Sequence, residues 1–285
     1  MTRVLGRPRV GIIADSRKPA HLSPLVPELV RALEELGHEV AVIDPDATPT
    51  SLHELAVRAD LYVLKGGSEA ALSLAGALDR LGALVVNPYA VAAACRDKIV
   101  QTTVLAAAGV PVPQSWLTTD PRELADELPL GPVIVKDPRG SRGRGLHVVH
   151  APAQLEPLER DRPWLAMRYH QPEGHDLKLY RIGDDVFGVH RPFPARTLEE
   201  KQGAPAHVDD ATREIVLRCG DAFGIEVYGV DIIRSQGRSW VVDMSSFPGF
   251  KGVPDAGTLI ARHVSRRLSQ GPSRVLLAAS AGVQT

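Results

Sequence analysis

The chain of 285 residues holds two cysteines, three methionines and only 5% aromatic residues, and its formal charge at pH 7 is −1. Cys95 and Cys219 are too few for a disulfide framework and lack the spacing of metal ligands, so both read as buried thiols. A net charge so near zero leaves no global field to recruit nucleic acid or a membrane surface. The longest apolar stretches fall far short of a bilayer span, and the N-terminal "MTRVLGRPRV" has no signal-peptide core. Together these absences point to a cytoplasmic protein. No GxGxxG follows the first strand-like run, which argues against a dinucleotide fold. No internal repeat or low-complexity segment is present. What remains is an ordinary globular composition, 44% hydrophobic, able to fill one large core or a few smaller ones.

The hydrophobic pattern divides the chain. "RVGII" (9–13), "EVAVI" (39–43), "LYVL" (61–64) and "LVV" (84–86) read as short strands. Between them Leu25, Leu29, Leu33 and Leu36 recur at helical spacing, widened by Val26 and Val30 and stopped by Gly37, and "EAALSLAGALDRLG" forms a second helix closed by Gly82. Strands alternating with helices predict a parallel, doubly wound α/β domain over residues 1–90. From Asn87 the pattern changes to one helical stretch running to Gly109, then a proline-punctuated extended segment. Strand-like runs separated by turns such as "GDD" and "SQG" follow, with helices at 209–223 and 256–268, which predicts α+β structure with mostly antiparallel sheet. The expected parts are 1–90, a central unit at 91–164 and a C-terminal unit at 165–285. "RTLEEKQG" (196–203) is a charged loop, either solvated surface or a lid, and "RVLLAASAGVQT" is a docked or frayed tail.

The chemistry concentrates in "VIVKDPRGSRGRGLHVV" (133–149). A P-loop would lead into a helix, but "LHVVH" is a strand, so the glycine-rich loop joins two strands and can form a flap. Its glycines let backbone N–H groups approach phosphate and its arginines add charge; a solvated basic hairpin is the alternative. Lys136 at a strand end and Lys98 in "RDK" at a helix start favour phosphate. "GVD" and "VVD" place Asp231 and Asp243 on two strands joined by "SQG", where paired carboxylates can hold Mg²⁺ against phosphate oxygens. His147 and His150 share an HxxH spacing, but on a strand they face opposite sides, so they read as surface residues. His170 and His175, after "WLAMRY", read as solvated turn residues, with contact to a bound ligand as the alternative.

Taken in order, "NPYAVAAACRDKIVQTTVLAAAGVPVPQSW", "PVIVKDPRGSRGRGLHVV", "GHDLKLYRIGDDVFGVHR" and "YGVDIIRSQGRSWVVDMSSFPGFKGV" resemble the ATP-grasp superfamily over nearly the whole chain. The resemblance implies ATP between two antiparallel sheets, with the preceding α/β domain helping to bind the acceptor. It assigns Lys98 and Lys136 to the ATP phosphates, and Ser141, Gly143 and Gly145 to the flap. Met167, Arg168 and Tyr169 form a hinge that hydrogen-bonds adenine through backbone groups, and Asp176 holds ribose. Arg191 faces the transferred phosphate. Asp231, Asp243 and residue 245 bind magnesium or manganese. Two positions depart from the pattern: Arg168 stands where the hinge usually carries Glu, and Ser245 where the metal motif usually has Asn. Beside the metals, the tight "SSFPGFKG" loop (245–252) offers Ser246 and Gly249 to the acceptor.

Within that superfamily, "GVPVP" and the "SRGRG" flap resemble the small ribosomal-protein-glutamate and lysine-biosynthesis ligases. These imply an acylphosphate intermediate attacked by an amine, small-molecule or peptide substrates, and a homodimer or homotetramer. "LKLYRIGDDVFGVHRPFP" and "VVDMSSFPGFKGVPD" resemble the inositol polyphosphate kinases of the same fold, for which Arg17, Lys18 and Lys65 are the basic candidates near an acceptor. A nucleotide-binding protein without turnover is the third reading, supported by Ser245.

Overall fold

The computed structural model describes residues 7–14, 24–140, 145–174, 176–192 and 197–270. Strands β1 (Arg9–Ile13), β2 (Glu39–Ile43), β3 (Leu61–Leu64) and β4 (Val85–Val86) form a parallel sheet in the order β2-β1-β3-β4. Helix α1 (Leu25–Glu35) buries Leu25, Leu29, Ala32 and Leu33, the leucine stripe visible in the sequence. Helix α2 (Glu69–Arg80), capped by Ser68, covers the opposite face with Leu74 and Leu78 against Ile13, Tyr62 and Leu64. The sheet is doubly wound, as its alternating pattern predicts.

The expected single helix up to Gly109 is two helices, α3 (Tyr89–Arg96) and α4 (Lys98–Ala107). Asp97 breaks it. Its backbone is extended and its carboxylate accepts from the N–H of Ile99 at 3.0 Å, capping α4. A central antiparallel sheet follows, of β5 (Ser115–Thr118), β6 (Val133–Lys136), β7 (Leu146–Val149) and β8 (Trp164–Arg168), ordered β5-β8-β6-β7. A 3₁₀ segment, Pro121–Leu130, packs Leu124 beneath it against Val133, Val135, Val149 and Trp164. Because β8 pairs with both β5 and β6, this sheet runs on to Arg168, past the expected division at 164/165.

The C-terminal sheet contains β9 (Asp176–Ile182), β10 (Asp185–Arg191), β11 (Ala204–Ala206), β12 (Val227–Ser235) and β13 (Arg238–Ser245), ordered β11-β10-β9-β12-β13 and antiparallel. The charged segment expected as a loop carries a short helix, α5 (Leu198–Gln202), set by a reciprocal cap between Thr197 and Glu200. Helix α6 (Asp210–Phe223) covers one face of the sheet with Val216 and Cys219 against Leu177, Leu179 and Val230. The other face reaches the N-terminal domain: Tyr180, Ile182 and Val189 share one core with Val10, Ile12 and Leu33, joined by Phe250 and by Ile260 and Val264 of α7 (Ala256–Gln270). Residues 1–90 therefore share a continuous core with the C-terminal third. No helix among the described residues is long and apolar enough to cross a membrane. The expected tail after Gln270, like Arg17 and Lys18, lies outside the described residues.

Helices α1 and α7 meet at Gly257, where an added Cβ would stand 2.8 Å from the Leu29 nitrogen and 2.7 Å from Glu28 Cγ. Overpacking of that kind costs about 1–3 kcal/mol. Gly257→Val should lower the thermal midpoint accordingly in a calorimetric scan, with Gly257→Ala intermediate. An unchanged midpoint for both would mean that the two helices do not bear on each other there.

Candidate nucleotide and metal site

The central and C-terminal sheets enclose a cleft of about 380 Å³. Strand periodicity decides what enters it. On β6, Val133 and Val135 point into the core while Ile134 and Lys136 face the cleft. Leu146 and Val148 of β7, directly opposite Lys136 and Ile134, complete an apolar roof with Met167. The floor is Ile233 of β12 and Val242 of β13, with the Ile232 backbone between Asp231 and Ile233 while its side chain packs in the core under α6. Such a slot between aliphatic walls suits a flat aromatic base.

At one end the walls become charged. Asp231 and Asp243 stand directly opposite each other on β12 and β13, and the next pair is Ile232 with Val241, so Val242 has no partner across the ladder. This bulge turns Val242 and Asp243 into the cleft together, and the Val242 carbonyl accepts from Lys136 Nζ at 3.1 Å. Lys98, the first residue of α4, donates to the carbonyl of Gly140 at 2.8 Å and lies 3.7 Å from Asp243. Lys178 on β9 sits opposite Asp231 and pairs with its carboxylate. Burial holds Lys136 below the usual lysine value, with Asp243 opposing. For Lys178 burial acts the same way and is the largest single influence, but Asp231, Tyr180 and Asp243 together raise the value. Lys178 was not singled out from the sequence, where it reads as one more polar residue on an alternating strand.

The remaining expected residues divide between this cleft and its acceptor end. Met167, Arg168, Tyr169 and Asp176 line the cleft. The N–H groups of Arg168 and Tyr169 donate to the carbonyls of Gln114 and Pro132, at 2.8 and 2.9 Å, so both donors are already engaged within the protein. The Arg168 side chain pairs with Glu127 at 3.0 Å, which gives the unusual residue at that position a structural partner. Gly145, with φ of +68°, opens β7, and its carbonyl accepts from the Asp137 N–H; Ser141 and Gly143 lie outside the described residues. Arg191 does not line the cleft. Its guanidinium donates to the Tyr180 hydroxyl at 2.5 Å and to the Lys251 carbonyl at 3.4 Å, and its Nε is buried without a partner. Arg191 thus borders the 245–252 loop that contains Ser246 and Gly249. Ser245, two residues beyond Asp243 on β13, shares its side of the strand. His147 and His150 are exposed, and His175 lies outside the described residues. His170 is not a solvated turn residue: it stacks on Trp240 at 4.2 Å and lines the cleft, the alternative placement. Cys95 and Cys219 are buried, which pushes both thiols up to about 12 and removes them as nucleophiles.

The model of the RimK-like ATP-grasp domain matches residues 95–268. A probable alpha-L-glutamate ligase of Xanthomonas oryzae pv. oryzae (strain MAFF 311018) is 30% identical over 280 residues, covering 86% of this chain and 93% of its own. The chain belongs to the RimK-like ATP-grasp family. Its fold is also that of the ATP-grasp RimK domain protein of Sphaerobacter thermophilus DSM 20745, with a TM-score of 0.71, 19% identity and coverage of 90% and 98% of the two chains. The ATP-grasp ligase PsnB, solved with a minimal precursor, Mg and ADP, has a TM-score of 0.66, 20% identity and coverage of 90% and 96%. This ATP-grasp protein is accordingly a carbon–nitrogen ligase.

The residues present fit the divalent cation that such ligases use. Asp243 Oδ1 is buried and has no hydrogen-bond partner, a position that a cation would satisfy. Among the described residues no group of three or more His, Cys, Asp or Glu stands ready to hold a metal, so Asp231 and Asp243 would need further oxygen ligands from outside that set. Replacing Lys98 or Lys136 with Ala should weaken ATP roughly tenfold or more, because a charge-assisted contact contributes roughly 1.5–3 kcal/mol. Lys136→Met should meanwhile melt no earlier than the wild type without ligand, since its ammonium is held charged against burial. Unchanged ATP affinity in both alanine variants would defeat the assignment.

Proposed function

We propose that this ATP-grasp ligase activates a carboxylate as an acylphosphate and lets an amine displace the phosphate, forming an amide and releasing ADP and inorganic phosphate. The observation that carries this reading is the pair of facing carboxylates, Asp231 and Asp243, among Lys98, Lys136 and Lys178 at the end of an apolar cleft. A carboxylate oxygen of the substrate attacks the γ-phosphorus and the bond to the β-phosphate oxygen breaks. The amine nitrogen then attacks the acyl carbon, the phosphate leaves, and the ammonium proton passes to water. Lys98 and Lys136 hold the phosphates and offset their charge while that group transfers. Arg191 and the amides of the 245–252 loop, with Ser246 and Gly249, orient the acceptor. Asp231 and Asp243, with Ser245 as a weaker third oxygen, would hold magnesium or manganese, which would supply charge neutralisation to the transferring phosphate. No protein nucleophile is needed, in keeping with the two inert thiols.

Residues 1–90 then help bind the acceptor, the central unit covers the nucleotide, and the C-terminal unit carries the metal. The name of the Xanthomonas relative supports glutamate as the first amine to supply. Two buried, unpaired cysteines support a reducing, cytoplasmic setting. A hydroxyl kinase finds no support among the relatives quoted, and the intact aspartate and lysine set speaks against loss of turnover.

The decisive experiment follows the γ-phosphate. ADP and free phosphate should appear in equal amounts, only when both a carboxylate and an amine are supplied. ¹⁸O placed in the carboxylate should move into the phosphate. ADP release with a stable phosphorylated hydroxyl product would instead establish a kinase.

A further inference from the structure

Two buried carboxamides with no part in the chemistry above hold the backbone around Asp243. Gln101 on α4 is 2% exposed and Asn87, after β4, is 3% exposed. The Gln101 amide donates to the carbonyls of Cys95 at 2.8 Å and Met244 at 2.7 Å, and its oxygen accepts from the Met244 N–H at 2.9 Å. Strand β13 is the edge of its sheet, so Met244 presents its outward N–H and C=O to no neighbouring strand. Gln101 takes the place that strand would fill. Asn87 donates to the carbonyls of Val227, at 2.6 Å, and Ser246. Residues 244 and 246 are therefore both fixed from the N-terminal side, with Ser245 between them.

Lys98 lies one turn before Gln101 on α4 and reaches Asp243, the residue before Met244. Helix α4 is thus keyed to β13 at two successive positions, a phosphate-facing lysine to a carboxylate and a buried amide to the next backbone unit. Sliding the helix along the strand would break the hydrogen bonds of a group that has no water to turn to. An apolar side chain in the same space would leave the Met244 N–H and carbonyl and the Cys95 carbonyl buried without partners, so the site calls for an amide of this length.

We propose that Gln101 is a positioning residue for the metal site, holding Asp243 in register with Lys98 so that both meet one cation–phosphate unit. The proposal rests on the nucleotide and metal reading given above. The test is ADP binding by titration calorimetry, with and without Mg²⁺, which requires no turnover and no known acceptor. Wild type should bind ADP more tightly with Mg²⁺. Gln101→Met should keep the metal-free ADP affinity, because the cleft is untouched, and should need ~10–100-fold more Mg²⁺ to regain the tighter state, the usual effect of losing a ligand's supporting partner. Gln101→Asn, which keeps the polar head but falls one methylene short, serves with the same expectation if the methionine variant does not fold. An unchanged Mg²⁺ requirement would overturn the proposal, as would equal losses with and without metal, the mark of a merely structural residue. No Mg²⁺ effect in wild type would overturn the metal reading itself.

Discussion

Asp231 and Asp243 face each other across two neighbouring strands, and two carboxylates so placed are tolerated only among positive charges. The surroundings answer that constraint. Lys178 pairs with Asp231, Lys98 approaches Asp243, and Lys136 reaches over to the carbonyl beside it. Three ammonium groups against two carboxylates leave a positive excess, suited to a polyanion that arrives with its own cation. The bulge at Val242 is what makes the arrangement possible. With regular pairing, Val242 and Asp243 would point to opposite faces, and the apolar floor and the carboxylate could not share one cleft.

The fold keeps this cluster from relaxing by joining parts that are distant in sequence. The cleft lies between two sheets, yet the aspartate strand is also held from the N-terminal side, through α4 and the end of β4. The parallel sheet shares its core with Tyr180, Phe250 and α7, so the 245–252 loop rests on the same layer. On that layer Arg191 donates to the Lys251 carbonyl, tying strand β10 to the loop. A carboxylate–amine ligase must bring its carboxylate to the γ-phosphate and then to the amine without its acylphosphate reaching water.

Much of this was legible in the sequence because it is local. The leucine stripe of α1, the short apolar strands and the turn between "GVDIIRS" and "SWVVDMSS" give elements and faces by period alone, and they brought Asp231 and Asp243 together in advance. What escaped depends on pairing across the chain. Asp97 interrupts an alanine-rich stretch by capping α4, a role that the helical period hides. The bulge at Val242 exists only relative to β12. Lys178 gains its meaning from lying opposite Asp231, and Gln101 from lying beside an edge strand 143 residues away. Met167, Arg168 and Tyr169 do line the cleft, but the neighbours that use the N–H groups of Arg168 and Tyr169, Gln114 and Pro132, come from other segments. The stacking of His170 on Trp240 is likewise invisible to composition or spacing.

A crystal structure with a non-hydrolysable ATP analogue and Mg²⁺ tests the arrangement most directly. The expected result is the base between Ile134, Val148 and Ile233, the phosphates within hydrogen-bonding reach of Lys98 and Lys136, and one cation shared by Asp243, Asp231 and the phosphate oxygens. Nucleotide bound elsewhere, for instance in the separate cleft of about 420 Å³ beside His263 and Arg267, would contradict it.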